Sequence, residues 1–167
     1  LILFLNVLKI KVIKNLKQKP VKRTGKIPVV ILNGFLGSGK TTLFMNLLSQ
    51  SRKKKIPVCA IVNDMSDLDV DGELLAETEI VEENSDILES INSCVLSSRK
   101  GIKKLDESIK KLLSNQDPKL IIIETSGSCH PLPLLEFFKN HVEVSLTGVF
   151  VLIDSLMLSH DFNYGEN

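Results

Sequence analysis

The stretch that decides the fold runs from residue 27 to residue 43 and reads Ile-Pro-Val-Val-Ile-Leu-Asn-Gly-Phe-Leu-Gly-Ser-Gly-Lys-Thr-Thr-Leu. Residues 27–33 are mostly apolar and rich in β-branched side chains, which predicts a short buried strand. Glycines follow at positions 34, 37 and 39, and a lysine and a threonine stand directly after them. Apolar residues then recur at helical spacing over residues 41–51. The stretch therefore predicts a strand, a glycine-rich loop and a helix, in that order.

The loop of residues 34–41 matches the P-loop pattern Gly-x4-Gly-Lys-Thr, which binds the phosphates of a nucleoside triphosphate. Its glycines permit a tight turn that brings backbone N–H groups against phosphate oxygens. We expect Lys40 to neutralise the β- and γ-phosphates and act in catalysis, Thr41 to ligate Mg²⁺, and Thr42 to contact the α-phosphate. A chance glycine-rich turn is the alternative, but the flanking strand and helix argue against it. The predicted nucleotide-binding residues of the loop are Gly34, Gly37, Ser38, Gly39, Lys40, Thr41 and Thr42.

A second part of the site is predicted where the apolar run of residues 120–123 ends. Four consecutive large apolar residues indicate a strand buried on both faces, as in a parallel sheet covered by helices. Glu124 follows, and a carboxylate at this place can orient Mg²⁺ and a catalytic water. Gly127 can let the backbone approach the γ-phosphate. A strand-end acid that faces solvent is the alternative for Glu124.

An acidic loop follows the apolar run of residues 56–62 and contains Asp64, Asp67, Asp69 and Asp71. A solvated loop is the simplest interpretation for most of these carboxylates. Asp64 lies closest to the strand end, where parallel sheets bind their ligands. We therefore predict Asp64 as a second group that ligates Mg²⁺ or orients water.

The remaining periodic segments alternate between helix and strand. Residues 100–114 and 132–138 have helical spacing, residues 149–153 are strand-like, and weaker strand signals lie near 79–81 and 87–95. This alternation predicts an α/β fold with an open, mostly parallel β-sheet and flanking helices, the P-loop NTPase fold.

Charge is distributed unevenly along the 167 residues. Residues 1–26 contain eight basic groups and no acid, which leaves 13 basic against 20 acidic groups in the remainder. An acidic body gives no reason to expect nucleic acid as a partner. No apolar run approaches the roughly 20 residues that span a bilayer. The three scattered cysteines fit a reducing cytosol better than a secreted disulfide scaffold, so we predict a cytoplasmic protein.

The charge pattern also divides the chain into a basic and apolar extension, residues 1–26, and a P-loop domain, residues 27–167. Three interpretations of the extension are open: a loosely ordered tail, translated sequence outside the true domain, or a membrane-surface helix over residues 7–17, where apolar and lysine residues interleave.

Four further segments add to the P-loop stretch 27–43: Val-Asn-Asp-Met-Ser at 62–66, Val-Asp-Gly-Glu-Leu at 70–74, Ile-Glu-Thr-Ser-Gly at 123–127 and Val-Leu-Ile-Asp at 151–154. In combination they resemble the CobW-like family of GTPases and metallochaperones, within the wider class of P-loop proteins that assist metal-centre assembly. The resemblance implies slow, Mg²⁺-dependent hydrolysis of GTP, coupled to the allocation of zinc, cobalt or a related metal. It also implies a metal-dependent client protein as a partner.

The chain departs from this family at its cysteines. The family typically has Asn-Gly-Cys-x-Cys-Cys, whereas residues 92–97 read Asn-Ser-Cys-Val-Leu-Ser. Cys94 remains as a possible Zn²⁺ ligand, but Leu96 and Ser97 stand where thiolates are expected, and one thiolate cannot complete a tetrahedral zinc site. A different three-ligand site from Cys94 and Cys129-His130 is one possibility. A small buried Cys94 beside an unspecialised loop is the other.

The guanine-reading element Asn-Lys-x-Asp does not occur before Asn167, so GTP and a further C-terminal domain rest on the resemblance. Two functions therefore stay open. One is a GTPase that acts in metal allocation; the other is a truncated or degenerate relative that binds nucleotide without carrying metal or hydrolysing efficiently. A small-molecule kinase is a third possibility, disfavoured because the chain has just three arginines and no arginine-rich lid.

Overall fold

The apolar runs of the sequence form the strands of one sheet in the computed structural model, which describes residues 25–64 and 87–154, without the side chain of Asp64. The strands are Ile27–Gly34 (β1), Val58–Asp64 (β2), Leu88–Asn92 (β3), Leu120–Glu124 (β4) and Val144–Leu152 (β5). The helices are Lys40–Lys53 (α1), Arg99–Asn115 (α2) and Pro131–Asn140 (α3).

The five strands form one sheet in the order β3-β2-β4-β1-β5, and every pairing among them is parallel. The predicted α/β fold is thus confirmed. In this order β4 lies between β1 and β2, and Glu124 pairs with Leu32 on one side and Val62 on the other. The carboxyl ends of these three strands therefore meet at one edge of the sheet, where the P-loop begins.

Helices cover both faces of the sheet and bury two apolar clusters. Ile121 and Ile123 of β4 pack with α2 and α3, whereas Leu120 and Ile122 pack with α1 on the opposite face. All four side chains are at most 3% exposed. This arrangement explains why the run 120–123 is continuously apolar, because successive strand residues face opposite sides and both sides are covered.

Every predicted helix and strand that falls within the described residues is found there, although the ends of some are shifted. The second strand begins at Val58, two residues later than predicted, because Ile56 N–H donates to Ser51 O (2.9 Å) at the end of α1 and Pro57 has no N–H to donate. The last strand begins at Val144, before the predicted segment 149–153, because this edge strand is only partly buried and its apolar pattern is weak.

Other predictions lie outside the described residues: the extension 1–24, the strand signal at 79–81, and the acidic residues Asp67, Asp69 and Asp71. The division into residues 1–26 and 27–167 accordingly stays a prediction. Among the helices of the described ranges, none combines the length and apolar character that crossing a bilayer requires.

Candidate nucleotide-binding site

The loop between β1 and α1 has the backbone conformation that its glycines predict. Gly34, Gly37 and Gly39 have φ angles of +144°, +78° and +87°, values that side-chain-bearing residues rarely adopt. Position 34 is restricted further, because a Cβ atom there would lie 2.3 Å from the carbonyl oxygen of Leu152 on β5. The loop consequently turns tightly over the sheet edge, and α1 begins directly after it, with its positive dipole end at the loop.

Lys40 and Thr41 are the first two residues of α1, and their side chains lie on the loop side of the sheet edge. Lys40 is 8% exposed, and its Nζ donates to the carbonyl oxygen of Phe35 at 2.8 Å, so the ammonium group folds back over the loop. Thr41 Oγ1 donates to Glu124 Oε1 at 2.6 Å, across 83 residues of sequence. The sheet thus brings the hydroxyl and the carboxylate into direct contact.

Below the loop lies an open cleft with a volume of about 670 Å³. Of the sequence-predicted residues it is lined by Gly37, Gly39, Lys40, Thr41, Thr42, Glu124 and Gly127. At Gly127 a Cβ atom would lie 3.1 Å from Leu36 N, so the backbone after β4 packs closely against the P-loop. A second cavity of about 270 Å³ lies between α1 and the start of β2, and its lining is mainly apolar. The cleft with the polar groups is therefore the candidate site.

Three predicted residues lie differently: Gly34 and Ser38 of the loop are not part of this lining, and Asp64 lies on β2. Ser38 is absent from the cleft lining, yet its Oγ is buried and has no hydrogen-bond partner in the described part of the chain. A buried hydroxyl without a partner is costly, which suits a position that gains one when an anion binds. Asp64 is the last residue of β2, and its backbone pairs with Asn92, but its side chain lies outside the described atoms. Its catalytic role stays a prediction.

The charges of the cleft suit a phosphate with a divalent cation. The loop N–H groups, the helix dipole and Lys40 favour an anion. Thr41 and Glu124 present a hydroxyl and a carboxylate, and Glu124 is only 5% exposed. Oxygen donors of this kind are the ligands that Mg²⁺ prefers. The described residues therefore fit a magnesium ion bound beside phosphates.

Two asparagines beside the cleft were not identified from the sequence. Asn33 at the end of β1 is 7% exposed, and its Nδ2 donates to Cys129 O at 3.0 Å. Asn63 near the end of β2 is 4% exposed and lines the cleft; its Nδ2 donates to Ile91 O and Cys94 O, both at 2.8 Å. The signal that could have identified both is a single amide at the end of an otherwise apolar strand.

The cysteine segment folds without a cluster of metal ligands. Leu96 is fully buried in the core, and Cys94 is 8% exposed in the same cluster. Ser97 Oγ accepts a hydrogen bond from His130 N (3.2 Å), and His130 Nδ1 accepts from Leu132 N (3.4 Å) as the N-cap of α3. Within residues 25–64 and 87–154, no three His, Cys, Asp or Glu side chains come together as a metal site.

The three cysteines are free thiols. Burial raises the pKa of Cys59 to about 11. Burial also raises the pKa of Cys129, although hydrogen bonds with Ser97 lower this pKa and so reduce the increase. Both thiols are therefore neutral near pH 7, a state in which they are poor metal ligands.

The parallel sheet, the glycine-rich loop between β1 and α1, and the carboxylate on the adjacent strand β4 define a P-loop nucleotide-binding protein. The sequence profile of the CobW/HypB/UreG nucleotide-binding domain matches residues 28–166, and the chain belongs to this family. The resemblance inferred from the motifs is thereby confirmed.

Three related proteins are similar to most of this chain. Zinc chaperone CobW of Sinorhizobium sp is 39% identical over 137 residues, which is 78% of this chain and 37% of that protein. Zinc-regulated GTPase metalloprotein activator 1 of Dictyostelium discoideum is 34% identical, over 81% of this chain and 30% of that protein. Zinc chaperone YjiA of Escherichia coli (strain K12) is 31% identical, over 82% and 43%. The chain therefore spans well under half the length of these relatives.

Among solved structures, the signal recognition particle receptor FtsY from Elizabethkingia anophelis, in complex with GDP, is similar in fold. The TM-score is 0.58 at 18% sequence identity, over 96% of this chain and 52% of that one. At this identity the likeness shows the fold alone.

Proposed function

We propose that this domain binds a nucleoside triphosphate with Mg²⁺, with GTP as its substrate, and hydrolyses it slowly between the β- and γ-phosphates. The observation that carries the proposal is the 2.6 Å hydrogen bond from Thr41 Oγ1 to Glu124 Oε1 at the base of the P-loop cleft. It joins the hydroxyl of the phosphate loop to the acid of the neighbouring strand at the place where a magnesium ion and the terminal phosphates have to meet.

Each side chain has a defined task in this proposal. Lys40 Nζ, which donates to the carbonyl oxygen of Phe35, donates to phosphate oxygens when nucleotide enters, in charge-assisted hydrogen bonds. Thr41 and Glu124 hold Mg²⁺, and the buried hydroxyl of Ser38 donates to a phosphate oxygen. The bound Mg²⁺ supplies charge neutralisation at the β- and γ-phosphates. Glu124 also orients the attacking water.

Slow turnover is part of the proposal. No arginine is found in the cleft lining within the described residues, so this part of the chain offers no cation besides Lys40 for the charge that develops during hydrolysis. An arginine that stabilises this charge raises the rate by about 10³- to 10⁵-fold in other GTPases. The choice of guanine is supported by the relative named as a zinc-regulated GTPase, which is 34% identical to this chain.

Titration calorimetry with Mg²⁺–GTP on wild type and Lys40→Ala tests nucleotide binding. We expect at least tenfold weaker binding in the variant, because a hydrogen bond to a charged group contributes about 1.5–3 kcal/mol. Lys54→Ala is the matched control, since Lys54 is exposed beyond the end of α1. Unchanged affinity in Lys40→Ala would remove the P-loop from the proposed site.

A role in metal allocation, with zinc as cargo and a metal-dependent client protein in the cytoplasm, extends this proposal. It is supported by the similarity to a zinc chaperone CobW and to a zinc-regulated GTPase metalloprotein activator. A second candidate function has its own support. Leu96 occupies the core where the family has a thiolate, which favours a nucleotide-binding relative that does not itself carry metal.

Competition with a chromophoric zinc chelator, with and without nucleotide, separates the two candidates. We expect weak zinc binding at neutral pH, because Cys94 is the single cysteine of its segment and must lose a proton to bind. Tight, stoichiometric uptake that disappears in Cys94→Ala would establish the metal-carrying candidate. Uptake that survives this substitution would locate the metal elsewhere, with the carboxylates Asp64 and Asp67 as the first candidates.

A further inference from the structure

Asn63 is the side chain that connects the nucleotide cleft to a distant turn of the chain. It is the penultimate residue of β2, and its side-chain hydrogen bonds go to residues 28 to 33 positions further on. Its Nδ2 donates to Ile91 O and Cys94 O at 2.8 Å each, and its Oδ1 accepts from Leu96 N at 3.3 Å. Two donors and one acceptor in these positions match an amide, because a carboxylate lacks the donors.

The same residue is part of the cleft wall. Asn63 lines the cleft together with Val62 and Glu124, and Val62 pairs directly with Glu124 across β2 and β4. Asn63 therefore directly follows the residue that pairs with Glu124, the proposed magnesium ligand. Its amide group bonds both to Ile91 of the neighbouring strand β3 and to the turn of residues 93–98, which we call the Cys94 turn.

The Cys94 turn is otherwise held by tight packing and by a second polar contact. Leu96 is fully buried, and a Cβ atom on Gly101 of α2 would lie 2.1 Å from Val95 O, so α2 packs directly on the turn. On its far side, Ser97 Oγ accepts from His130 N, in the loop that follows β4 and whose Cys129 carbonyl is held by Asn33. The turn is therefore attached to the end of β2 through Asn63 and to the loop after β4 through Ser97.

We infer that Asn63 is a positioning residue that couples the Cys94 turn to the nucleotide cleft, so that bound nucleotide protects the Cys94 thiol. Opening of the turn must break the two hydrogen bonds that Asn63 makes with it, to Cys94 O and from Leu96 N, and this releases part of the cleft wall. An open turn then binds nucleotide more weakly, and by reciprocity bound nucleotide lowers the population of the open turn. The coupling rests on the proposed nucleotide binding, whereas the role of Asn63 in closing the turn does not.

Pulsed alkylation with N-ethylmaleimide, read by peptide mass spectrometry, measures Cys94 and Cys59 separately in the full chain. Cys59 is 1% exposed within the sheet and serves as the internal reference for global unfolding. In wild type we expect Mg²⁺–GTP to slow the labelling of Cys94 at least about tenfold relative to Cys59. In Asn63→Ala we expect Cys94 to be labelled at least about tenfold faster without nucleotide, because buried hydrogen bonds are lost. Nucleotide is then expected to have little effect on its rate.

Asn140→Ala is the matched control, because Asn140 is exposed at the end of α3, and its labelling should equal that of wild type. Asn63→Asp is a second test: it keeps the shape but directs a carboxylate at two carbonyl oxygens, so it should label like Asn63→Ala. Wild-type labelling of Cys94 in Asn63→Ala, with or without nucleotide, would overturn the inference.

The remaining outcomes are also decisive. If wild type binds no nucleotide in calorimetry, the proposed function fails, but faster labelling of Cys94 in Asn63→Ala still establishes the positioning role. If Asn63→Ala exposes Cys59 as well, the comparison is repeated with Asn63→Ser, whose hydroxyl can keep part of the hydrogen bonding. Equal labelling of Cys94 and Cys59 in both variants would overturn the inference, because Asn63 would then merely hold the fold.

Discussion

Replacing Glu124 with glutamine tests the proposed catalytic arrangement most directly. The side chain is 5% exposed, and its Oε1 accepts the Thr41 hydroxyl hydrogen bond at 2.6 Å. Glutamine has the same number of heavy atoms and keeps an oxygen that can accept this bond, so the local packing should be retained. The substitution therefore removes one negative charge from the cleft and changes little else.

The magnitude follows from that charge. Groups that support a bound metal typically contribute 10- to 100-fold, so we expect hydrolysis to slow about 100-fold while nucleotide affinity stays within about tenfold. Without nucleotide, two effects of the substitution change the free energy of unfolding in opposite directions. The variant avoids the cost of burying a carboxylate, but its hydrogen bond with Thr41 is no longer charge-assisted, and each effect is worth about 1–2 kcal/mol. The free energy of unfolding should accordingly change by less than about 1 kcal/mol.

Three measurements on wild type and Glu124→Gln check this prediction: single-turnover hydrolysis of Mg²⁺–GTP, titration calorimetry, and urea unfolding without nucleotide. Glu136→Gln is the control, because Glu136 is exposed on α3 and should behave as wild type in all three. Equal hydrolysis rates in wild type and Glu124→Gln would refute a catalytic part for the carboxylate. A loss of several kcal/mol without nucleotide would instead show that its role is in folding.

Three predictions concern stability. Lys55 has a φ angle of +53° and follows the end of α1, where Lys55 N donates to Arg52 O and Ile56 N donates to Ser51 O; this is a Schellman motif, which favours glycine at position 55. Lys55→Gly should therefore raise the free energy of unfolding by about 0.5–1 kcal/mol in urea titrations. A decrease would contradict the strain assigned to Lys55. Leu96→Ala should cost about 2–5 kcal/mol by leaving a core cavity, whereas Leu132→Ala, at a residue 59% exposed, should cost far less. Cys59 has its pKa raised to about 11 in the folded state, so the unfolded chain loses this proton first, and stability should fall between pH 9 and 11. Urea unfolding across this range should show a shallower fall in Cys59→Ala, and parallel curves would contradict the prediction.

The elements of the fold follow from local patterns to a large extent. The run of residues 120–123 has large apolar side chains throughout, and β4 is found at Leu120–Glu124 as predicted. The helix predicted at 100–114 is α2, one residue longer at each end. At its N-terminal end Ser98 caps it, with its Oγ accepting from Gly101 N. The start of β2 was predicted too early, because the apolar pattern does not register that the Ile56 N–H is bound to Ser51 O at the end of α1 and that Pro57 has no N–H to donate.

The candidate site was predictable in part. Lys40, Thr41 and the glycines belong to one contiguous motif, whose backbone requirements are local and can be read from the chain. Asn63 could not be identified in this way, since its hydrogen-bond partners are 28 to 33 residues away. The burial of Leu96 is likewise a property of packing between α2 and the sheet, which a comparison of the six residues 92–97 with the family motif does not contain.

The sequence by itself determined the class of this protein, because a phosphate loop needs glycines, a lysine and a threonine at adjacent positions between a strand and a helix. The tertiary structure alone decided that Glu124 meets Thr41, that Asn63 joins the cleft to the Cys94 turn, and that Leu96 fills the core. These contacts depend on the strand order β3-β2-β4-β1-β5, which inserts β4 between two strands that precede it in the chain. Local periodicity specifies which segments are strands and which faces they bury, but the order in which strands pair is set by the packing of the whole sheet and its helices.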